Sequence, residues 1–360
     1  MKKPPGTSKK QKQPAILRQL RDEIMQGKWQ PGQRLPSRGE FEISTGVSRV
    51  TVQKIFDKLA QEGFIEVNGR RETRVSSDPP HLSRYALCFP YRPTTVERWN
   101  RFWTVIADCA MHFRRKDSTS AIEVFHNIDG HTDVRDYARL MTAARHHLVA
   151  GMIFPAPTPM LLETPLMLET DLPKVLIARP KPQYSPRFSV VSPHSSSFYE
   201  KACEYMKSTG CRTVGILVPG GENIEEQVAP SLAKYQLECP PYWMHRVLPE
   251  SAVAISAIVH LMMRNPNDRP QGLIIADDHF TGPATLGLLS AGVRVPNELQ
   301  VVVHENFPAQ SQSLLPFKRL GFDVRQILRT CTDLINEQRQ NGAPTRVVTV
   351  GALFEEELAP

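Results

Sequence analysis

The chain has 360 residues, 41% of them apolar and 22% charged, which is room for two or three water-soluble domains. Its apolar runs reach only about eight residues, against the roughly 20 a membrane helix requires, and no apolar h-region follows the basic start, so neither a membrane span nor an export signal is expected. The net charge of +7 lies wholly within residues 1–78, where 16 Lys+Arg face 9 Asp+Glu; the remainder carries 28 of each sign. A small basic module on a neutral body implies a head that binds a polyanion and a body with a separate task. The six Cys are scattered without a C-x-x-C pair, which fits reduced thiols and a cytoplasmic location.

Residues 1–12, with five lysines and no apolar period, read as a disordered basic arm. From Pro14, Ile16, Leu20 and Ile24 recur every four positions until Gly27, which predicts a first helix. Ser37 followed by Glu40 is a capping-box signature opening a short second helix, with Phe41 and Ile43 expected to face inward and Gly46 as the stop. Ser48 caps a third helix whose apolar face is Val52, Ile55, Phe56 and Leu59, ended by Gly63. FIEV, the NGRRE turn and TRV then form a hairpin. Three short helices and a hairpin are the order of a winged helix-turn-helix, placed at 13–76 and followed by a Ser/Pro-rich linker at 77–83.

From 84 to 360 the pattern changes to apolar strands alternating with longer amphipathic helices. Strands are expected at 85–90, 121–125, 151–155, 174–178, 189–192, 213–218, 272–276 and 299–303, with helical stretches between them, for example at 97–114, 134–148, 197–208, 253–264 and 280–291. This alternation predicts an α/β body of parallel sheets covered by helices on both faces. Its size implies two lobes of α/β/α type, with ligand binding between them beside the strand carboxyl ends.

The head resembles the GntR family of bacterial transcription regulators through LPS (35–37), GVSRVTV (46–52) and LAQEGFIEV (59–67). The resemblance implies a DNA-binding head whose third helix enters the major groove. Arg49, Thr51, Gln53 and Lys54 lie on its first two turns, and Arg49 suits a forked contact with guanine. The helix starts capped by Ser37 and Ser48, with Arg38 beside the first, offer backbone N–H groups to phosphates, while Arg70 and Arg71 sit at the hairpin tip. Two positions depart from the family: Gly39 stands where an Arg is usual, and Glu72 occupies a wing glycine position.

The body is similar to the effector domain of LacI/GalR regulators, which is akin to periplasmic sugar-binding proteins. RPQGLIIADDHFTGPATLGLLSAGVRVPNELQVVVHEN (269–306) carries that likeness, with PKVLIARP (173–180) in support. A GntR-type head on a LacI-type body is the architecture of the arabinose-repressor group. The resemblance implies a small ligand, a sugar above all, and by motif it assigns Asp278 to the ligand-binding Asp and Glu305 with Asn306 to a strand-end acidic pair. It also brings Trp99 to an aromatic stacking position and Arg179 to the edge after the fourth strand. Here too there are departures: 222–227 reads ENIEEQ where many relatives carry an Arg, and Val303 replaces a glycine.

No H-E-x-x-H, C-x-x-C, G-x-S-x-G, P-loop or G-x-G-x-x-G pattern occurs, so no metal, cofactor or enzymatic activity is expected. The sequence therefore reads as a cytoplasmic, homodimeric, DNA-binding transcription regulator, a repressor controlled by a sugar or sugar-derived effector bound between the lobes. Its partners would be a double-stranded operator and that effector, with no membrane. The alternative is a DNA-binding regulator whose altered ligand site responds to nothing.

Overall fold

The structure, a computed structural model, describes residues 9–68, 72–95, 99–114, 120–184, 187–220 and 224–358. The head comprises α1 (Lys9–Met25), α2 (Arg38–Thr45), α3 (Arg49–Glu62), β1 (Ile65–Asn68) and β2 (Glu72–Val75). There follow α4 (Pro80–Ser83), β3 (Arg84–Cys88), α5 (Arg101–Met111), β4 (Ala121–Phe125), α6 (Arg135–Arg145), β5 (Gly151–Phe154), α7 (Pro165–Leu168) and β6 (Lys174–Ile177). The chain continues through β7 (Ser189–Pro193), α8 (Ser195–Ser208), β8 (Val214–Pro219), α9 (Ile224–Tyr235), β9 (Met244–Val247), α10 (Ala254–Met263), β10 (Gly272–Ile275) and α11 (Thr281–Ser290). It closes with β11 (Gln300–Phe307), β12 (Lys318–Asp323), α12 (Val324–Asn341), β13 (Val347–Val350) and β14 (Leu353–Phe354).

The head forms as its caps dictate. Ser37 accepts from the Glu40 amide while the Glu40 carboxylate accepts from the Ser37 amide at 2.7 Å, which closes the capping box that opens α2. Ser48 accepts from the Thr51 amide to open α3, and Gly46 and Gly63 end their helices at φ 66° and 89°, a region glycine enters without cost. Val52, Ile55, Phe56 and Leu59 are all buried, joined by Leu20 and Ile24 of α1 and by Phe64. Arg21 donates to both carboxylate oxygens of Glu62, a buried pair that ties α1 to α3. The hairpin pairs antiparallel from Ile65↔Val75 to Asn68↔Glu72, and the connector adds to it through Leu35 N–H to the Thr73 carbonyl.

Two local expectations fail here. Ile43 is 84% exposed, not buried. Residues 41 and 43 lie about 200° apart on a helix, so only one of them, Phe41, can face the core. Helix α1 starts at Lys9, inside the stretch expected to be a disordered arm, and runs through Pro14. Pro14 is the sixth residue of α1, past its first turn, so it removes one hydrogen bond from the ladder without ending the helix.

Beyond the head the chain divides into two compact units. One holds Met1–Pro90, Ala110–Leu176 and Thr332–Pro344. In it, β6, β5, β3 and β4 lie side by side in that order, all parallel, with registers such as Tyr85↔Gly151 and Cys88↔Phe125. Leu148, just after α6, packs against the head core, and the expected linker is itself built in, with His81 and Ser83 of α4 buried.

The other unit holds Tyr91–Cys109, Ile177–Cys331 and Thr345–Pro360. Its main sheet has the order β14-β12-β11-β10-β8-β9, parallel except for β14, and β7 pairs with β13 in parallel. Strands buried on both faces read as continuous apolar runs, which is why GLII and VGILV were legible. At Gly321 a Cβ would stand 1.8 Å from the Glu305 carbonyl oxygen, so β12 approaches β11 more closely than any side chain permits. The strand order turns back on itself between β8 and β10, a switch point whose carboxyl edge is where such sheets bind ligands. All six cysteines are free thiols, and no helix among the described residues is long and apolar enough to cross a membrane.

Candidate DNA-binding surface and ligand site

On the head, the α2 start and the α3 start come together around a concavity of about 350 Å³ lined by Arg34, Ser37, Arg38, Arg49 and Glu72. Arg49 is exposed on the first turn of α3, its backbone N–H held by the Glu42 carboxylate at 3.1 Å. Thr51 shares its hydroxyl with Ser48 at 3.0 Å, so these two side chains close the cap before anything outside reaches them. Lys54 is exposed, whereas Gln53 donates to Asp57 at 2.6 Å and stays free for a base only if that bond opens. Arg38 is partly tucked over the Phe56 ring at 6.0 Å with its Nε buried and unbonded, a donor waiting for an acceptor. Glu72 does not face phosphates alone: Arg74 pairs with it at 2.7 Å and also donates to the Gly32 carbonyl. Arg70 and Arg71 lie outside the described residues. Arg34 was not singled out in the sequence; its place three residues before Ser37 was the available signal.

In the second unit, ADDHF (276–280) leaves the carboxyl end of β10, and Asp278 is only 6% exposed. Asn306 Nδ2 donates to its Oδ2 at 2.9 Å, His279 Nδ1 lies 3.2 Å from its Oδ1, and Arg101 Nε lies 3.6 Å from Oδ2. Arg101 also donates to the Asp278 carbonyl at 3.3 Å. Burial pushes the Asp278 carboxyl up, but the His279 hydrogen bond, the His304 ring, the Asn306 amide and Arg101 together outweigh it and hold the group below the usual aspartate value. His279 is pushed up to about 9 by its bonds to Asp277 at 2.8 Å and to Asp278, burial opposing. Asp278 is not the helix cap of α11; that place falls to Phe280, which offers no side-chain bond.

The expected strand-end pair divides between the two faces of β11, because successive strand side chains point to opposite sides. Asn306 and His304 share the face toward Asp278, and the buried His304 Nδ1 and Thr281 Oγ1 have no hydrogen-bond partner. Glu305 turns the other way. Its carboxylate accepts from the Ser311 amide at 2.8 Å and hydroxyl at 2.9 Å, and meets Arg319 at 3.0 Å. Burial raises the Glu305 carboxyl despite those partners.

Trp99 is half-buried; its indole N–H donates to Thr104 at 2.9 Å and its ring meets Trp103 edge-on at 5.4 Å. Arg179 is exposed and lies against the Gln227 amide, whose oxygen accepts from it. Arg179 and Asp277 act oppositely on the Tyr199 hydroxyl, which burial pushes well up. Sequence reasoning missed Arg101, Asp277, His279 and His304, although an acid–acid–His triplet directly after an apolar strand was the signal for two of them. The Asp277, Asp278 and His279 ligating atoms lie within 4.8 Å of one another, close enough for a cation, but His279 Nδ1 is already bonded to both carboxylates.

Residues 12–75 match the family described as bacterial regulatory proteins, gntR family, and residues 203–353 match the periplasmic binding protein-like domain. No curated protein matches the chain. Among solved structures, a LacI-type transcription regulator from Bifidobacterium animalis subsp. lactis is similar at 16% identity, over 76% of this chain and 97% of its own, with a TM-score of 0.55. A LacI family regulator from Lactobacillus casei with bound glucose aligns at 15% identity over 76% and 98%, with a TM-score of 0.53. A "probable maltose operon transcriptional repressor" from Staphylococcus aligns at 11% over 76% and 95%, with a TM-score of 0.55. At these identities the likeness establishes the fold of the body, and the head is of the gntR type.

Proposed function

We propose that this transcriptional regulator of combined GntR and LacI type is a cytoplasmic, homodimeric repressor whose hold on its operator is set by a small polyhydroxylated ligand. Two heads occupy successive major-groove half-sites about 34–36 Å apart, with Arg49 reading a base and the starts of α2 and α3 gripping phosphates. No catalytic step is involved. The observation that carries the ligand reading is the buried Asp278 carboxylate at the carboxyl edge of β10, kept ionised by Asn306, His279 and Arg101. Each carboxylate oxygen has a second lone pair, so Asp278 retains capacity to accept from sugar hydroxyls. The unbonded His304 Nδ1 and Thr281 Oγ1 add polar groups that a hydroxylated ligand would satisfy. Trp99 supplies an aromatic face, and Arg179 a rim charge. Glu305 supports the site by bracing the 305–311 loop rather than by touching ligand.

The glucose bound to one structural neighbour and the maltose-operon repression in the name of another favour this reading at the level of fold. A ligand at 100 times its dissociation constant adds about 2.7 kcal/mol to stability. Melting the protein against a panel of sugars and sugar acids therefore identifies the effector, and Asp278→Asn abolishes the shift. A second reading is favoured by one fact: both Asp278 oxygens already have protein partners, so the site can stand satisfied without ligand. Absence of a shift with every member of the panel, in a protein that still binds its operator, would establish that reading instead.

A further inference from the structure

A separate cavity of about 550 Å³ lies within the unit that contains the head, lined among others by Met25 at the end of α1, His81 of α4, His147 after α6, Leu172 and Arg339 of α12. Its volume falls in the range of small-molecule sites, about 300–1,000 Å³. His81 is only 7% exposed, stacks on the head residue Phe64 at 5.7 Å, and has a buried Nδ1 with no hydrogen-bond partner. Burial, aided by Arg339 and His147, pushes the His81 imidazole down to about 4, so it is neutral at physiological pH. Arg339 also has a buried, unbonded Nε; among the described residues its side chain donates to Asn336 alone, at 3.4 Å.

The two acids on the wall do not answer Arg339. Glu169 pairs with Arg145 at 3.8 Å, and Asp171 acts on His147. Burial lowers the Arg339 guanidinium, opposed by the Tyr85 phenol and by no carboxylate among the described residues. A half-buried cation with no ion pair among the described residues, beside a neutral imidazole with a spare nitrogen, is an arrangement that an oxyanion completes. Met25, Leu172 and Pro173 give the cavity apolar walls and it exceeds the size of a bare inorganic ion, so the occupant has a carbon body.

We propose that this cavity binds a small organic oxyanion, a carboxylate or phosphomonoester, through Arg339 and His81. The site is distinct from that around Asp278. Because its walls come from the last residue of α1, the segment after β2 and the body helices, its occupant fastens the head against the body and acts as a second control on DNA binding.

The test uses the full-length protein with succinate and phenyl phosphate as probes, each compared with sodium chloride at equal ionic strength by calorimetric titration. Saturable binding of at least one probe is expected, weakened about tenfold or more in Arg339→Gln by loss of a charge-assisted bond, and unchanged in Arg49→Ala. Which probe binds separates the carboxylate from the phosphate source. Protection of Arg339 from phenylglyoxal by the bound probe, read by mass spectrometry on the unaltered protein, gives the same answer should Arg339→Gln fold poorly. Binding lost in Arg49→Ala but kept in Arg339→Gln would place the anion on the DNA-binding surface and overturn the assignment. So would the absence of saturable binding by both probes, or an Arg339 that stays reactive while a probe is bound.

Discussion

Arg49 and Asp278 illustrate two ways a charged side chain is prepared for a partner. Arg49 is exposed, its backbone N–H held by Glu42 on a helix start that Ser48 caps through Thr51, and it owes nothing to its own side-chain bonds. Replacing it with Ala is expected to cost about 1–3 kcal/mol at one base pair and to relax preference there, with head stability unchanged; operator titration against single-base variants measures this. Asp278 is the opposite case, buried and held by three neighbours before any ligand arrives. Its neighbour His279 gives the body a pH dependence. The His279 imidazolium is raised to about 9 from an ordinary value of 6.5, so the stabilisation is complete below about 6.5 and is lost as pH rises through 9. The melting temperature of the protein should therefore fall between pH 7 and 10, and less so in His279→Gln. Motif position alone made Asp278 legible in the sequence. The partners Arg101 and His304 were not, because they come to it from segments 177 and 26 residues away.

At the scale of elements, caps and apolar period were sufficient wherever both spoke together. Ser37 with Glu40, Ser48, Gly46 and Gly63 placed α2 and α3 to within a residue. Of the two expectations that failed in the head, Ile43 as a core residue ignored helical geometry in so short an element. Phe41→Ala should cost about 3–5 kcal/mol of head stability, while Ile43→Ala should fall within about 0.5 kcal/mol of zero; denaturant unfolding of the two variants separates them. The eight strands read from apolar runs all exist. β9 and β12 were missed because MHRV and KRLGFD mix polar residues into their strands, β13 and β14 because VVTV and LF are short, and α12 because it follows β12 without a loop, its cap being the strand's own last residue, Asp323, which accepts from the Arg325 amide. The stretch after the head was legible as a linker from its Ser/Pro composition, but composition does not reveal that His81 and Ser83 would be buried.

At the scale of the whole molecule, two modules meet in one chain: a basic head of the gntR type, to which we assign the reading of DNA, and a neutral α/β body of periplasmic-binding-protein type, to which we assign a small ligand. Allosteric coupling between such sites is typically about 1–3 kcal/mol, enough to change operator affinity about five- to 150-fold. Such coupling needs a physical joint. The packing of Leu148 on the head core and of His81 on Phe64 supplies one within the unit that contains the head. The order of the charges, the capping residues and the ADDHF motif made the two module types visible from sequence. Which ligand binds depends on side chains assembled from distant segments and was not visible there.

The central claim is that the head reads a specific operator. Capturing fragments of the source genome with the purified full-length protein, then sequencing them with and without the effector, tests it most directly. Inverted repeats with half-sites about 34–36 Å apart are expected, enriched by the unaltered protein, lost with Arg49→Ala and altered in occupancy by effector. Recovery of no preferred sequence, with binding that simply vanishes as salt rises, would contradict it.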